Sequence, residues 1–120
     1  MDVEIKDYTG EGYKPVVDFN CWRVAYIHSS VNMKKSDLEK FERHLETDEI
    51  FVLLNGSAVL LTAGKGKKPS DKITELKMKK GVVYNVKKSV WHSVLLKKNT
   101  KILIVENKNT TTKNSEYVMI

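Results

Sequence analysis

The sequence predicts an all-β domain, a sandwich or barrel of short antiparallel strands. Stretches of β-branched, aromatic and other apolar residues recur about every ten residues, and polar breaks rich in Gly, Lys, Asn and Ser separate them. The composition is the third observation: 41% hydrophobic and 30% charged residues in a chain of 120 are typical of a globular protein with one core. We therefore expect a single domain over residues 1–120.

The strand pattern occurs in seven segments: residues 21–28, 49–55, 57–63, 73–78, 82–86, 90–96 and 101–107. Two of them, EIFVLLN and SAVLLTA, are separated only by Gly56. Because Asn-Gly is the strongest short hairpin signal, a tight hairpin is predicted around Asn55 and Gly56. The polar segment after residue 107 is expected to end in one more docked strand.

One segment, SDLEKFERHL (36–45), has helical periodicity. Ser36 and Glu39 have the spacing of a capping box. One face of the predicted helix carries three apolar residues, Leu38, Phe41 and Leu45. We expect one short helix here, ending just before the strand that starts at Glu49.

The net charge of +6 does not indicate a nucleic-acid partner. Only Arg23 and Arg43 are arginines among the 21 basic residues, and the lysines lie in turn-like segments without the aromatic residues that stack on bases. We expect a solvated lysine surface and no nucleic-acid binding.

The sequence also predicts a cytoplasmic protein without a membrane segment. Its longest apolar runs are about five residues, whereas a spanning helix needs about 20. The N-terminal segment MDVEIKDYTGEGYK lacks the apolar stretch of a signal peptide. Cys21, the only cysteine, offers no disulfide framework, and we expect it to be a buried core thiol.

Two strands are apolar on both faces, Ile50 to Leu54 and Ile102 to Val105. A sheet with one wet face would alternate apolar and polar residues instead. The outer side of the barrel is therefore expected to meet a terminal strand or a second subunit, and we expect a homodimer formed through one sheet.

Two histidines and a carboxylate interrupt this apolar pattern. With Glu49 facing inward, alternation also turns Phe51 and Leu53 inward. His92 is the only ionisable residue on its face of an apolar strand, an expensive place for an unpaired imidazole. His44 lies five residues before Glu49 and can return to the same rim. Two imidazoles and one carboxylate form a divalent metal site that suits Fe, Mn, Zn, Ni or Co.

The same residues carry a resemblance to the cupin superfamily, small antiparallel barrels of jelly-roll type. The first cupin motif, G-(x)5-H-x-H-(x)3,4-E-(x)6-G, is similar to SDLEKFERHLETDEIFVLLNG, with His44, Glu49 and Gly56 at matching positions. The second motif is similar to GVVYNVKKSVWHSVLL, with Gly81 and His92 at matching positions. The resemblance covers about residues 36–107 and implies a cupin β-barrel.

Among the departures from the family pattern, which include Ser36, Lys87, Ser89 and Leu96, one concerns the fourth metal ligand. Cupin sites use three histidines and one glutamate, and here Glu42 stands at the position of the first histidine. As an oxygen donor, Glu42 would complete a set with His44, Glu49 and His92. At the end of the predicted helix, however, it would point to solvent, and the sequence leaves both interpretations open.

Structural roles compete with the metal site. His44 would then end a helix in solvent, His92 would be a core histidine bonded to a carbonyl, and Glu49 would pair with a cation in a linker. Tyr26, His28 and Tyr84 are the candidates for binding a substrate in the same cavity, with plain structural roles as the alternative.

Two functional hypotheses follow. In the first, the resemblance implies a cupin that binds a divalent metal in its barrel and acts on a small oxygen-rich molecule such as a sugar derivative or an organic acid. In the second, the chain is a metal-free cupin that binds a small molecule or acts as a regulatory protein, without catalysis. The sequence contains no phosphate-binding loop and no nucleophile elbow.

Overall fold

The computed structural model describes residues 2–38, 40–108 and 115–119. These residues contain ten strands: β1 (Gly12–Phe19), β2 (Trp22–Ser29), β3 (Lys40–His44), β4 (Glu49–Asn55), β5 (Ala58–Thr62), β6 (Thr74–Lys77), β7 (Val83–Val86), β8 (His92–Leu96), β9 (Thr100–Asn107) and β10 (Ser115–Met119). None of the helical segments in the described ranges is long and apolar enough to cross a membrane.

The strands form two five-stranded sheets. Sheet A has the order β1-β2-β9-β4-β7, and sheet B has the order β10-β3-β8-β5-β6. Neighbouring strands within each sheet are antiparallel. The all-β prediction is confirmed, and so is the docked strand near the C-terminus, β10, which pairs with β3.

The core lies between the inner faces of the two sheets. The strict alternation of β4 and β9 buries one face of each strand: Phe51 and Leu53 on β4 pack with Ile102 and Ile104 on β9. Leu60 supplies the opposing surface from β5. Since side chains alternate along a strand, the same register turns the first residue of β4, Glu49, inward at the edge of this core.

The predicted helix over residues 36–45 is wrong. A single 3-10 turn spans Lys35–Asp37, where the Lys34 amide donates to Asp37 Oδ2 at 2.7 Å, and residues 40–44 form β3. Glu39, half of the predicted capping box, lies outside the described residues. Residues 40–44 form a strand despite the helical pattern because β3 completes its hydrogen bonds with β10 and β8. This tertiary pairing outweighs the weak helix propensity of the segment.

The predicted hairpin around Asn55 and Gly56 is also wrong. β4 belongs to sheet A and β5 to sheet B, so these residues carry the chain from one sheet to the other. Thr100 secures the crossing, because its hydroxyl accepts from the Ser57 amide at 3.0 Å and donates to the Ser57 carbonyl at 2.9 Å. Gly56 passes so close to Thr100 that no side chain fits there.

A second apolar cluster covers the outer face of sheet B. Trp91, 1% exposed, packs with Phe41, Leu61 and Ala63. Its indole Nε1 donates to the Gly66 carbonyl at 2.8 Å, which ties the segment after β5 over the sheet.

Arg43 completes this cover and has a structural role. Its guanidinium stacks over the Trp91 ring at 4.4 Å, donates to the carbonyls of Lys65 and Gly66, and pairs with Glu116 at 2.7 Å. Cys21, in contrast, is not the buried thiol expected from the sequence. It lies exposed in the turn between β1 and β2, where Asn20 adopts a positive φ.

Replacement of Gly56 by alanine should be much more destabilising than the same change at Gly81. Both glycines have positive φ, 83° and 79°, which costs an alanine about 1–2 kcal/mol. At Gly56 the new Cβ would also lie 2.4 Å from Thr100 Oγ1 and 2.6 Å from Thr100 Cα, whereas nothing lies within 4 Å at Gly81. We expect Gly56→Ala to lose about 1–3 kcal/mol more than Gly81→Ala in urea unfolding. Equal losses would contradict the close approach.

Candidate metal centre

Four ionisable side chains from three strands meet at one end of the space between the sheets. Glu49 begins β4 in sheet A, while Glu42 and His44 on β3 and His92 on β8 face it from sheet B. Glu42 and His92 are cross-strand partners, which places their side chains on the same face. The structure thus brings together all four residues that the sequence nominated as metal ligands.

Both imidazoles converge on one carboxylate oxygen. His44 Nε2 and His92 Nε2 each lie 3.1 Å from Glu49 Oε1, and Glu42 Oε1 lies 3.8 Å from His92 Nε2. His44, Glu49 and His92 are all buried, with exposures of 6%, 4% and 3%. Glu42 is partly exposed and lies at the cavity side of the cluster, so the strand placement removes the solvent-pointing alternative.

The outer nitrogens of both rings have partners that orient them. His92 Nδ1 lies 3.0 Å from the carbonyl of Val90, which only accepts, so Nδ1 carries the proton and Nε2 of the neutral ring carries a lone pair. His44 Nδ1 lies 2.7 Å from Ser115 Oγ, which also can accept. Hydrogen bonds of this kind fix the tautomer in which Nε2 ligates a metal.

The pKa values of the cluster reflect this packing. Burial opposes ionisation of Glu49, but hydrogen bonds from His44 and His92 outweigh it and lower the pKa of Glu49 to about 2. Burial also opposes protonation of the two imidazoles, yet the hydrogen bonds and charge of Glu49 leave the pKa of each above 6.5. In the metal-free protein, the carboxylate is therefore held by two imidazolium rings at mildly acidic pH.

The donor set fits a divalent ion. One ligand atom from each of Glu42, His44, Glu49 and His92 lies within 4.8 Å of the others. Two ligand atoms at right angles, each about 2.1 Å from a common ion, lie about 3 Å apart, which matches the two nitrogen–oxygen separations of 3.1 Å. Two imidazoles and two carboxylates suit Fe, Mn, Zn, Ni or Co.

The sequence analysis missed a row of charged residues that adjoins the cluster in sheet A. Arg23 on β2 pairs with Glu106 on β9. Because Ile50 pairs with Val105, the next position along places Glu49 beside Glu106. Arg23, Glu106 and Glu49 thus lie side by side on three adjacent strands, and all three line the same cavity.

The alternation of side chains along β2 and β9 could have predicted this row of charged residues from the sequence. Arg23 shares its face of β2 with Ala25 and Ile27, and Glu106 shares its face of β9 with the core residues Ile102 and Ile104. A charge on the buried face of an apolar strand is the same observation that singled out His92.

Tyr13 links this row to β1. Its hydroxyl donates to Glu106 Oε1, and Arg23 Nη1 lies 4.0 Å from the same oxygen. Burial raises the pKa of Glu106 to about 7, helped by the neighbouring carboxylate of Glu49 and opposed by the Tyr13 hydroxyl. Burial likewise places the pKa of Tyr13 above its ordinary value of 10, so Tyr13 keeps its proton and remains a donor.

The cluster opens into a cavity of about 650 Å³ between the sheets. Apolar side chains form much of its wall: Ile27, Met33, Leu38, Phe51, Val94 and Ile104. The polar part of the wall consists mainly of the four ionisable side chains of the candidate metal centre and the adjoining row of charged residues in sheet A. A cavity of this size and mixed character holds a small molecule.

The three residues nominated for substrate binding are absent from the described cavity wall. Tyr26 and His28 lie on the outer face of β2, where Lys101 stacks on Tyr26 at 4.5 Å and His28 Nδ1 lies 2.9 Å from the Gly10 carbonyl. Tyr84 packs against the core, and its hydroxyl accepts from the Lys79 amide at 2.8 Å. Tyr26 and His28 face outward because the inward residues of β2 are the odd-numbered ones, beginning with Arg23.

Solved structures with the same architecture include cupins. A cupin-2 domain protein from Shewanella frigidimarina matches with a TM-score of 0.59 and 19% identity over 84% of this chain and 85% of its own. An RmlC-like cupin from Desulfovibrio desulfuricans matches with a TM-score of 0.57 and 14% identity over 79% of each chain. A variant of Streptomyces PAC13 with uridine matches with a TM-score of 0.63 and 7% identity, over 92% of this chain and 82% of that protein.

These likenesses show that the chain has the cupin fold, which confirms the resemblance carried by the two sequence motifs. No family model matches the chain. No curated protein matches it either.

The pKa shifts predict how the metal-free protein depends on pH. A histidine whose pKa is raised in the folded state stabilises it fully below pH 6.5, and this contribution is lost as pH rises through the folded pKa. Glu49, whose pKa is lowered, contributes above 4.5 and loses its effect as pH falls toward about 2. With a chelator present, we therefore expect the melting temperature to fall as pH rises above 6.5, through the raised pKa values of the two histidines.

The matched control for this prediction is Glu49→Gln, which keeps the shape but removes the charge that holds both imidazolium protons. The variant should lose most of the decline, since each pKa unit by which a histidine is raised corresponds to about 1.4 kcal/mol. A wild-type melting temperature that is flat over this range, measured by circular dichroism, would contradict the imidazolium–carboxylate cluster.

Proposed function

We propose that this protein binds one divalent metal ion through His44, Glu49, His92 and Glu42, and that the loaded cavity binds a small oxygen-rich molecule such as a sugar derivative or an organic acid. The observation that carries the proposal is the convergence of His44 Nε2 and His92 Nε2 on Glu49 Oε1, at 3.1 Å each. When bound, a divalent ion supplies Lewis acidity toward a coordinated oxygen.

The chain's own residues prepare the site for this role. Ser115 and the Val90 carbonyl hold the two rings with Nε2 directed at the centre. Phe51 packs edge-on against His92, with ring centroids 5.8 Å apart, and limits the access of water from the core side. Glu42 lies at the more open side of the cluster. The ion would therefore keep open positions toward the cavity, as ligand-binding metal sites require.

The cavity supports a small ligand with oxygen groups. It has a polar region around Glu106 and Tyr13, beside the cluster, and an apolar wall that excludes large charged surfaces. The fold is compatible with such a ligand, since the structure of the PAC13 variant is with uridine. A sugar derivative or an organic acid offers both the oxygen donors and the size that this cavity accommodates.

A metal-free binding protein is the second candidate function, and one observation favours it. With both imidazoles protonated, the three buried side chains of the cluster all have partners: Glu49 lies between the rings, Ser115 beside His44, and the Val90 carbonyl beside His92 Nδ1. The cluster is thus stable as a hydrogen-bonded network, and it would then hold a ligand directly through Glu42 and the imidazoles.

Metal analysis distinguishes the two candidates. Protein purified without a metal-affinity tag should contain about one divalent ion per chain, and added metal at 100 times its Kd should stabilise the fold by about 2.7 kcal/mol. His92→Ala should lose both the bound ion and the stabilisation. Mass spectrometry of the metal content and thermal unfolding with and without a chelator measure these quantities.

His28 provides the matched control, because it is the one histidine outside the cluster. His28→Ala should retain the full metal content. A stoichiometry below about a tenth, with no metal-dependent rise in melting temperature, would remove the metal and leave the metal-free candidate. Equal metal loss in His28→Ala and His92→Ala would place the ion on the surface instead.

We also propose that the protein is a cytoplasmic homodimer that associates through the outer face of sheet A. Apolar side chains cover this face on its two central strands: Ile50, Val52 and Leu54 on β4, with Leu103 and Val105 on β9. The outer face of sheet B is covered by its own chain around Trp91, so sheet A offers the better surface. The exposed free thiol of Cys21 fits a reducing compartment.

Light scattering after size exclusion should give twice the chain mass of 13.8 kDa. Val52→Lys should yield a monomer, because a lysine ammonium at the centre of an apolar interface loses its hydration without gaining a partner. Ile73→Lys changes an exposed residue, 47% accessible, that precedes β6 in the other sheet, and it should leave the dimer intact. A wild-type monomer would contradict this proposal and leave the metal site untouched.

A further inference from the structure

The two arginines of the chain have opposite environments. Arg43 is saturated: its Nε donates to Glu116 at 3.1 Å, and its other nitrogens bind main-chain carbonyls and the same carboxylate. Arg23 Nε has no hydrogen-bond partner, and it is the one buried side-chain nitrogen or oxygen in the described part of the chain with this property. A buried donor without a partner costs free energy and calls for an explanation.

Arg23 lies in the wall of the cavity, in the charged row beside the metal cluster. Its Nη2 donates to the Lys108 carbonyl at 3.1 Å, which anchors one side of the guanidinium. The contact with Glu106 is long, 4.0 Å from Nη1, because the Tyr13 hydroxyl already holds that carboxylate oxygen. The guanidinium therefore keeps capacity for a further acceptor, and 23% of its side chain is exposed.

We infer that Arg23 is the anion-binding group of this cavity and takes a carboxylate of a small ligand on the exposed part of its guanidinium. A rotation of the guanidinium on binding would turn Nε, which is closed to solvent in the unliganded protein, toward the carboxylate and give it a partner. The planar fork of a guanidinium matches a carboxylate with two parallel hydrogen bonds. The inference deepens the proposed function and rests on it in part, because the ligand would reach the cluster with its oxygen donors while its carboxylate contacts Arg23. It selects organic acids and acidic sugars from the broader class.

Charge in the cavity favours a carboxylate over a phosphate. Lys40 is the second cation of the wall, and it contributes positive potential at the cavity. Glu106 and Glu49 lie in the same row as Arg23. A dianionic phosphate group at Arg23 would be repelled more strongly by these carboxylates than a singly charged carboxylate group would be, since the repulsion scales with the charge of the group that lies beside them.

The test uses the arginine side-chain Hε–Nε signals of the ¹⁵N-labelled full chain. With only Arg23 and Arg43 present, the spectrum contains two signals, and Arg43 serves as an internal reference. The probes are malate and malamide, its neutral diamide of the same shape, added to chelated protein and to protein with Zn²⁺. Malate should shift the Arg23 signal saturably and leave Arg43 unchanged, and malamide should shift neither.

Variants extend the test to affinity. Arg23→Gln should weaken malate binding about 10-fold or more while it leaves zinc content unchanged, because a hydrogen bond to a charged group is lost. The malate affinity of Arg23→Lys should lie between those of wild type and Arg23→Gln, since lysine keeps the positive charge but lacks the planar guanidinium. Lys14→Gln removes a charge on β1, away from the described cavity wall, and should bind malate like wild type.

The outcomes separate this inference from the metal proposal. An Arg23 signal that moves no more than that of Arg43, or that responds equally to malate and malamide, overturns the anion site. Tighter binding of inorganic phosphate than of malate overturns the choice of carboxylate. If the protein binds zinc but malate does not shift the Arg23 signal, only the metal centre is supported. If malate shifts the Arg23 signal in protein that binds no zinc, only the anion site is supported.

Discussion

The structure depends on a buried carboxylate shared between two sheets. Glu49 begins the most apolar strand of sheet A, and its charge is compensated by His44 and His92, which belong to sheet B. A buried charge without partners would be prohibitively costly, so the sheets must close with these three groups in register. The same requirement leaves both Nε2 atoms directed at one point, which is the geometry of a metal centre.

The crossing of the chain between the sheets and the pairing of the edge strand β10 with β3 hold Glu49, His44 and His92 in register. Gly56 and Thr100 fix the point where β4 leaves sheet A for sheet B, and β10 adds Ser115 beside His44. Arg43 then ties β10 to the cover over Trp91 through Glu116. Residues far from the cavity thus determine how precisely the histidines are held, because each ligand depends on the strand that carries it.

The two arginines show how position alone separates a structural role from a binding role. Both lie on strands and both are partly or fully buried, but Arg43 faces outward under a covering segment and Arg23 faces the cavity. Their sequence contexts, ERH and WRV, do not differ in any way that predicts this. The difference arises because the outer face of sheet B is covered by main-chain carbonyls, whereas the inner face of sheet A borders a cavity.

Alternation and composition alone determined the all-β class, most of the strand segments and the inward face of β4, because side-chain period and burial are local properties of a strand. β1 and β3 were not among the predicted strands. Alternation and spacing also nominated His44, Glu49 and His92, the resemblance to the first cupin motif added Glu42, and the structure brings the four residues together. Local patterns gave wrong predictions where pairing between distant strands determines the structure: residues 40–44 form β3 instead of a helix, and the predicted hairpin is a crossing between the sheets. Only the tertiary structure placed Arg23, Glu106 and Tyr13 beside the cluster of histidines and glutamates, since the register between non-consecutive strands is set by the packing of the whole barrel.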